Sequence, residues 1–386
     1  MNGVLWCRCA LSRYPILPKL ARVNSIWEKA NPQLRALPIY EPGKPIEEAA
    51  RELQTDPSGI IKLASNENPL GPSAKALSAM RDALGAAQLY PDGGGTYLRD
   101  AIAANLGLTR DHIILGNGSN EVIEFVAHAF LNRGDEVVIP EYSFICYKLI
   151  ARLFDARVIE TPTTGFLPDL DSVISALTPK TKIIFLANPN NPTGGLLSQD
   201  KIDNFLDRVP PDVLTVLDEA YFEFLNDPPD AIRHVRKNRN VIVLRTFSKI
   251  HGLASLRVGY GIARPEVIAV LQKTRQPFNV NGIAQVGARA ALEDDEHLRK
   301  TKTVVDAGRA YLEKELQALK LKINPSVGNF VFVNVGDGPA VFKKLLGMKI
   351  IVRPLSGYGL PEWIRISVGT MEQNKKCIAA LKKILS

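Results

Sequence analysis

From Ile60 onward, short apolar runs rich in β-branched residues alternate with stretches of amphipathic helical periodicity. Alternation of this kind predicts right-handed β-α-β units and therefore a mostly parallel sheet covered by helices. The seven runs that we predict as strands of this sheet are residues 112–115, 136–140, 157–160, 181–187, 212–217, 240–245 and 258–263. The sequence thus predicts an α/β fold in which ligands bind beyond the carboxyl ends of the strands.

The length of the chain predicts more than one domain, because 386 residues with 46% hydrophobic content exceed what a single core usually accommodates. After two helical patterns, a second alternating region begins near residue 330. Its predicted strands lie near residues 330–335, 350–352 and 364–368. We predict four segments: an N-terminal extension (1–35), an arm (36–60), a large domain (61–280) and a smaller α/β C-terminal domain (281–386).

Charge and composition exclude several classes of function. The formal net charge is +8, but residues 1–27 contain four basic and no acidic side chains, so the remainder holds 44 basic and 40 acidic ones. These charges are interspersed, which is typical of solvated helix faces and not of a nucleic-acid-binding surface. No run of 18 apolar residues occurs, which excludes a transmembrane helix.

The cysteines and the N-terminal segment bear on localisation. Four cysteines in so long a chain, without the spacing of metal ligands, indicate a reducing compartment and predict a cytoplasmic protein without a metal site. The first residues are free of acids up to Glu28, which allows a transit peptide. Pro15 and Pro18 interrupt any long amphipathic helix there and favour a simple extension.

The segment from Thr246 to Tyr260 follows one of the predicted strands. Lys249 therefore lies just beyond the carboxyl end of that strand, where ligands bind in open α/β sheets. A lysine among small and hydroxyl-bearing residues is suited to form a Schiff base with an aldehyde. Thr246, Ser248 and Arg257 add two hydroxyls and a guanidinium, which are donors typical of a phosphate site.

Three other loops carry polar residues after apolar runs. Asp218 ends a buried strand, where it would be either the partner of a protonated pyridine nitrogen or the N-cap of a helix. Asn191 lies in a turn with two prolines, which is either purely structural or holds one amide at a fixed angle. Gly116 and Gly118 precede a predicted helix, and the free N–H groups at its N-terminus predict a phosphate-binding site.

The string T-F-S-K-x-x-G-L-x-x-x-R-x-G-Y at residues 246–260 resembles the lysine segment of fold-type I pyridoxal-phosphate-dependent aminotransferases. Strings at residues 62–72, 90–95 and 356–361 resemble the histidinol-phosphate aminotransferase branch of that family. The resemblance runs from about Tyr40 to the C-terminus. It implies the fold-type I fold, pyridoxal 5'-phosphate as cofactor, and reversible amino transfer from L-histidinol phosphate to 2-oxoglutarate, giving imidazole-acetol phosphate and L-glutamate.

The resemblance also implies the residues that hold the cofactor. Lys249 would be the catalytic lysine, Asp218 the partner of the ring nitrogen, and Tyr221 a catalytic tyrosine that binds the phenolic oxygen beside Asn191. Tyr142 would stack on the pyridine ring. The residues implied for the cofactor phosphate are Gly118, Ser119, Asn120, Thr246, Ser248, Arg257 and, from the neighbouring subunit of a homodimer with shared sites, Tyr90.

Four residues are implied for the substrates. Arg365 resembles the arginine that binds the α-carboxylate. Histidinol phosphate lacks this group, so the arginine would serve the second substrate, glutamate, either alone or together with the phosphate of the first. Arg353 resembles an arginine that selects a phosphorylated substrate, and Tyr40 a tyrosine that closes over the same phosphate. Asn66, in the string at residues 62–72, is implied as a further substrate-binding residue.

Three alternatives share parts of this pattern. An aromatic amino-acid aminotransferase has nearly the same motifs. A threonine-phosphate decarboxylase also binds a phosphorylated amino compound but must not protonate the cofactor carbon. A cofactor-binding transcription factor is disfavoured, because the roughly thirty residues ahead of the aminotransferase-like region are too few for a helix-turn-helix domain.

Overall fold

The computed structural model describes residues 26–39 and 43–385, which divide between two units, one that ends at Leu37 and one that begins at Pro38. The strands are β1 Ile61–Lys62, β2 Ile113–Gly116, β3 Glu136–Pro140, β4 Arg157–Thr161, β5 Thr163–Thr164, β6 Leu167–Pro168, β7 Thr181–Ala187, β8 Leu214–Asp218, β9 Val241–Thr246, β10 Gly259–Ile262, β11 Ile323–Asn324, β12 Phe330–Asn334, β13 Ile350–Ile351, β14 Arg353–Leu355 and β15 Leu360–Ser367. The α-helices are α1 Pro32–Ala36, α2 Ile46–Glu52, α3 Ala74–Ala83, α4 Thr96–Leu106, α5 Ser119–Phe130, α6 Ile145–Leu153, α7 Leu170–Ser175, α8 Gln199–Arg208, α9 Ile232–Arg236, α10 Pro265–Leu271, α11 Gly282–Leu292, α12 Asp295–Ala318, α13 Gly338–Gly347 and α14 Met371–Leu385.

The large sheet has the strand order β2-β10-β9-β8-β7-β3-β4. Its strands are parallel except for β10, which runs antiparallel to both β2 and β9. Each strand begins and ends within two residues of its predicted bounds. The prediction of an α/β fold with a mostly parallel sheet is confirmed.

The large sheet is buried on both faces, and strand β9 shows how its residues divide between them. Val241 and Val243 pack in the core on one face, whereas Ile242 and Leu244 pack in the core on the other. Since side chains alternate along a strand, Thr246 follows Ile242 and Leu244 onto their face, and Arg245 lies on the opposite face. This division decides which residues at the strand end can reach a ligand.

The second sheet contains β11-β12-β15-β14 and is antiparallel throughout. Its core includes side chains of α12, α13 and α14. The strand predicted near residues 350–352 is present as Ile350–Ile351, but it pairs with β1 and does not belong to this sheet. Strand β15 begins at Leu360, four residues before its predicted start, because Pro361 and Glu362 conceal the strand pattern. In residues 26–39 and 43–385, no helix is both long and apolar enough to cross a membrane.

Candidate active site

Three predicted site loops meet at the carboxyl edge of the large sheet. The strands that precede them, β7, β8 and β9, are parallel neighbours, so they end at the same edge. Beyond the strands, backbone hydrogen bonds join Asn188 N to Asp218 O at 2.9 Å and Glu219 N to Leu244 O at 2.9 Å. These bonds hold the loops that carry Asn191, Asp218 and Lys249 side by side.

Lys249 extends toward the segment that joins β1 to α3. Its Nζ donates a hydrogen bond to the Ser65 carbonyl at 3.2 Å and lies 5.8 Å from the centroid of the Tyr221 ring. Burial lowers the pKa of Lys249 to about 8, and the nearby positive charges of Arg365 and Arg257 act in the same direction. A lysine with this pKa has far more of the neutral, nucleophilic amine near pH 7 than an ordinary lysine.

Asp218 is buried at the end of β8, with 7% of its surface exposed. Its Oδ2 accepts a hydrogen bond from the Tyr147 hydroxyl at 2.6 Å, and its Oδ1 accepts one from Ala220 N at 3.1 Å. Burial raises the pKa of the carboxyl, while the bond from Tyr147 opposes that rise. The helix-cap interpretation does not hold, because the short 3-10 helix that follows has Tyr221, not Asp218, at its N-cap.

Asn66 joins Tyr221 to the second sheet. Its Nδ2 donates to the Tyr221 hydroxyl at 2.9 Å, and its Oδ1 accepts from the Ser367 hydroxyl at 2.8 Å. Asn66 N also donates to Ser367 Oγ at 2.8 Å, and Asn329 Nδ2 donates to the Asn66 carbonyl at 2.9 Å. Asn66 has a positive φ of 54° and only 1% exposure, so the network fixes its side chain.

Small residues bring the start of α5 close to Arg257. A Cβ on Gly118, which has a φ of +80°, would lie 2.6 Å from Arg257 Nη2. A Cβ on Gly259 would lie 2.3 Å from the backbone nitrogen of Ser119, the first residue of α5. A helix N-terminus beside a guanidinium is an anion site, because both offer N–H donors and positive charge.

The remaining predicted phosphate residues surround this position. The Thr246 hydroxyl donates to Ser248 Oγ at 3.0 Å, and both residues are buried. Asn120 Nδ2 donates to Glu124 Oε1 at 3.3 Å, whereas Asn120 Oδ1 is buried without a hydrogen-bond partner among the described residues. The amide of Asn120 is therefore only half satisfied by the chain.

Arg365 links the second sheet to the loop after β7. Its Nη1 donates to Asn191 Oδ1, and its Nη2 donates to the Ala64 carbonyl at 2.5 Å. Arg353 is half-buried and is the cross-strand partner of Arg365. A Cβ on Gly43 would lie 3.7 Å from Arg353 Nη1, so the arm comes close to this arginine. The predicted Tyr40 lies outside the described residues.

The two other predicted tyrosines differ in their surroundings. Tyr142 has a φ of 56°, its carbonyl accepts a hydrogen bond from Asn190 Nδ2 at 3.0 Å, and its ring packs edge-on against Phe166. It therefore lies beside the loop that carries Asn191. Tyr90 is 83% exposed and stacks on Phe278, with 4.8 Å between ring centroids. Tyr90 thus lies on the surface of this subunit.

A family model for aminotransferase class I and II matches residues 58–381. The chain belongs to this family. Among its relatives, this aminotransferase is 48% identical over 362 residues to the histidinol-phosphate aminotransferase of Akkermansia muciniphila, with 94% of this chain and 100% of that protein covered. It is 45% identical over 362 residues to the histidinol-phosphate aminotransferase of Moorella thermoacetica, covering 93% of each.

A solved structure extends the comparison to three dimensions. The histidinol-phosphate aminotransferase of Sinorhizobium meliloti, crystallised in complex with pyridoxal 5'-phosphate, superposes on this aminotransferase with a TM-score of 0.86. The two are 27% identical in sequence, and the match covers 94% of this chain and 99% of the other. The two proteins therefore share the fold-type I architecture over nearly their whole length.

Two residues of the site in this aminotransferase were not predicted from the sequence. Tyr147 comes from α6, and its ring stacks on Phe185 with 4.7 Å between centroids, which aims its hydroxyl at Asp218. Ser367 lies two residues after Arg365 on β15, so it shares the face of that arginine. The period-two spacing could have identified Ser367, but no local signal marks Tyr147.

Proposed function

We propose that this chain is a pyridoxal-phosphate-dependent aminotransferase that interconverts L-histidinol phosphate and 2-oxoglutarate with imidazole-acetol phosphate and L-glutamate, a step of histidine biosynthesis. Relatives that carry this activity in their names are 43–48% identical to the chain and match more than nine-tenths of it. The structural observation that carries the proposal is the pairing of Arg353 with Arg365 across β14 and β15. Two cations on one face suit substrates that bear phosphate or two carboxylates.

The donors at the sheet edge fit pyridoxal 5'-phosphate. Its aldehyde requires an amine that is neutral near pH 7, and the pKa of Lys249 is lowered to about 8. Its ring nitrogen requires a buried anion, and the buried Asp218 carboxylate accepts hydrogen bonds from Tyr147 and Ala220 but forms no ion pair with any described residue. Its phosphate requires positive charge and N–H donors, and Arg257 and the start of α5 offer both side by side, because glycine at residue 118 permits their close approach. The assigned site residues are therefore chemically matched to this cofactor.

The chain's own groups divide the work of the reaction. The bound cofactor supplies a cationic ring that withdraws electrons from the substrate carbon. The Asp218 carboxylate would hold the proton on the ring nitrogen, and Tyr221 and Asn191 would supply hydrogen-bonding groups for the phenolic oxygen. Lys249 Nζ would accept the proton from the substrate carbon and donate it again later in the reaction. Tyr142 would lie beside the ring, and the phosphate would be held by Gly118, Ser119, Asn120, Thr246, Ser248 and Arg257.

The substrates are held from the second sheet and the arm. Arg365 binds the carboxylate of glutamate, as the planar fork of a guanidinium matches a carboxylate. Arg353 binds the phosphate of histidinol phosphate, with Tyr40 from the nearby arm closing over it. Asn66 connects this substrate side to Tyr221 through the hydrogen bond at 2.9 Å.

A homodimer with shared sites forms part of the proposal. Several large apolar side chains are exposed within a short part of the sequence and at residue 278, namely Leu84, Leu89, Tyr90, Tyr97 and Phe278. Such residues commonly mark a protein interface. In the proposed dimer, Tyr90 reaches the cofactor phosphate of the neighbouring subunit. We also propose a cytoplasmic location and the division into extension, arm, large domain and small domain at residues 35, 60 and 280.

One experiment distinguishes this function from its rivals. The purified protein, loaded with pyridoxal 5'-phosphate, is mixed in turn with L-histidinol phosphate, L-phenylalanine and phosphothreonine, and the absorbance of the bound cofactor and the release of carbon dioxide are followed. We expect histidinol phosphate to convert the cofactor to its amine form fastest, without carbon dioxide. Preference for phenylalanine would assign the chain as an aromatic aminotransferase, and carbon dioxide from phosphothreonine would assign it as a lyase.

A further inference from the structure

Arg245 and Glu219 form an ion pair behind the active site. Arg245 Nε and Nη2 approach Glu219 Oε2 at 2.9 and 2.8 Å, and the two side chains are only 7% and 5% exposed. In the part of the chain that the structure describes, neither side chain is hydrogen-bonded to the groups to which the reaction has been assigned. Arg245 lies on the face of β9 opposite Thr246, and Glu219, one residue after the end of β8, follows Asp218.

Two neighbours of the Arg245 guanidinium stand next in sequence to residues of the proposed site. Glu219 follows Asp218, and Phe222, whose ring centroid lies 3.5 Å from the guanidinium carbon, follows Tyr221. Arg245 itself precedes Thr246. One buried side chain therefore contacts the chain beside the ring-nitrogen, phenolic-oxygen and phosphate groups.

The same arrangement extends to the start of α5. Tyr260 is the cross-strand partner of Arg245 in the β9–β10 ladder, and it follows Gly259, which packs against the backbone nitrogen of Ser119. Arg245 thus lies behind the residues assigned to the cofactor phosphate as well as those assigned to the cofactor ring.

A buried ion pair is a poor means of stabilising a fold, because desolvation of both charges offsets most of their attraction. Burial raises the pKa of Glu219 to about 7, with Arg245 opposing the rise. A second carboxyl, Glu223, also lies near Arg245, and burial raises its pKa to about 7. An apolar pair of similar volume would fill this space at a lower cost in folding free energy. The property that distinguishes the ion pair is therefore the fixed geometry of its hydrogen bonds.

We infer that Arg245 is a positioning residue that, from the back of the large sheet, holds Asp218, Tyr221 and Thr246 at the spacing the cofactor requires. This inference rests on the proposed function, since it assigns spacing for pyridoxal 5'-phosphate. The forked guanidinium suits the role because it contacts a carboxylate in its plane and an aromatic ring across its face.

The test compares the double variant Arg245→Met/Glu219→Leu with Arg245→Met and Arg245→Lys. Arg245→Met leaves Glu219 buried without its partner and should unfold at lower denaturant concentration. The double variant removes both charges, so its unfolding midpoint should return close to that of the wild type. Its dissociation constant for pyridoxal 5'-phosphate should nevertheless rise about tenfold, and its kcat should fall about 10- to 100-fold with a smaller change in KM, because misplacement by about 1 Å is costly in catalysis.

A spectroscopic measurement distinguishes a positioning role of Arg245 from a role in protein stability alone. The absorbance of the bound cofactor as a function of pH reports the proton on its Schiff base with Lys249. The midpoint depends on the ring-nitrogen charge that Asp218 maintains, so we expect it to shift in the double variant. Arg245→Lys, which keeps the charge but not the fork, should be as stable as the wild type and intermediate in cofactor affinity.

Wild-type affinity, kcat and pH profile in both the double variant and Arg245→Lys would overturn the inference, because the pair would then serve stability alone. If the wild type itself fails to bind the cofactor, the proposed function fails, and this result is distinct from the first.

Discussion

Arg353 and Arg365 lie directly opposite each other on the antiparallel strands β14 and β15. Side chains of directly opposed residues share one face of a sheet, and like charges at such positions repel. Arg365 is held in place by the Asn191 amide and the Ala64 carbonyl. The pair therefore places two positive charges on one face of the second sheet.

Arg353→Ala should separate the phosphorylated substrate from others. Loss of a charge-assisted contact worth about 1.5 to 3 kcal/mol should slow the half-reaction with histidinol phosphate roughly 10- to 150-fold. Glutamate should lose less, and phenylalanine should hardly change. Single-turnover rate constants for the three donors measure the difference.

The matched control for Arg353→Ala is Lys343→Ala, which removes one positive charge from an exposed position of α13. It should leave all three rate constants unchanged. An equal decrease for histidinol phosphate and phenylalanine in Arg353→Ala would show that Arg353 supports the fold and does not select phosphate.

The lowered pKa of Lys249 predicts the pH dependence of cofactor capture. Below about 8, the neutral fraction of the amine falls about tenfold per pH unit, so covalent capture of pyridoxal 5'-phosphate by the cofactor-free protein should slow accordingly. Above about pH 8 the rate should level off, whereas the rate for an ordinary lysine would continue to rise up to pH 10.5. Trapping with borohydride between pH 7 and pH 10, at short times, gives the rate.

Two variants complete the Lys249 experiment. Lys249→Ala should bind the cofactor without any covalent capture. Arg365→Gln removes a nearby positive charge that lowers the pKa, so the plateau should move to higher pH. A wild-type rate that still rises tenfold between pH 9 and pH 10 would contradict the lowered pKa.

Asp218→Asn should leave the fold intact and lower kcat strongly, because a neutral amide does not hold the proton on the ring nitrogen. Tyr147→Phe removes the hydrogen bond at 2.6 Å and should lower kcat much less, since the carboxylate remains. Steady-state kinetics with circular dichroism as the folding control distinguish these outcomes. A rate for Asp218→Asn within about threefold of wild type, or ~0.65 kcal/mol, would refute the assigned role.

Shared active sites predict complementation between two defective variants. Lys249→Ala and Tyr90→Ala should each be impaired at limiting cofactor. In a mixed dimer, one site combines the intact Lys249 of one subunit with the intact Tyr90 of the other, so activity should return after the subunits are exchanged. Absence of recovery, despite a mixed dimer seen by native mass spectrometry, would place Tyr90 outside the neighbour's site.

The parts of the fold that could be predicted are those with a strong local pattern. Strands β3 and β7 match their predicted bounds because their apolar runs are uninterrupted. Strand β14 was missed because Arg353, Pro354 and Leu355 form too short a run, with one charge and one proline. Its existence depends on pairing with β15, which no local pattern reveals.

The site shows the same division. Lys249, Asp218 and Asn191 could be grouped from the sequence because each lies at or beyond the end of a strand, and the ends of neighbouring parallel strands meet. Tyr147 reaches Asp218 from α6, seventy-one positions earlier in the chain, through packing on Phe185. Arg245 likewise gave no functional signal, because its role depends on which face of β9 it occupies.

Asn66 connects the cofactor side of the proposed site to the substrate side. Its amide accepts from Ser367 at 2.8 Å and donates to Tyr221 at 2.9 Å, so one rigid planar group spans both sheets. Ser367 lies two residues from Arg365 on the same strand. The position of β15 and the hydrogen bond that the Tyr221 oxygen receives are therefore linked through the Asn66 side chain.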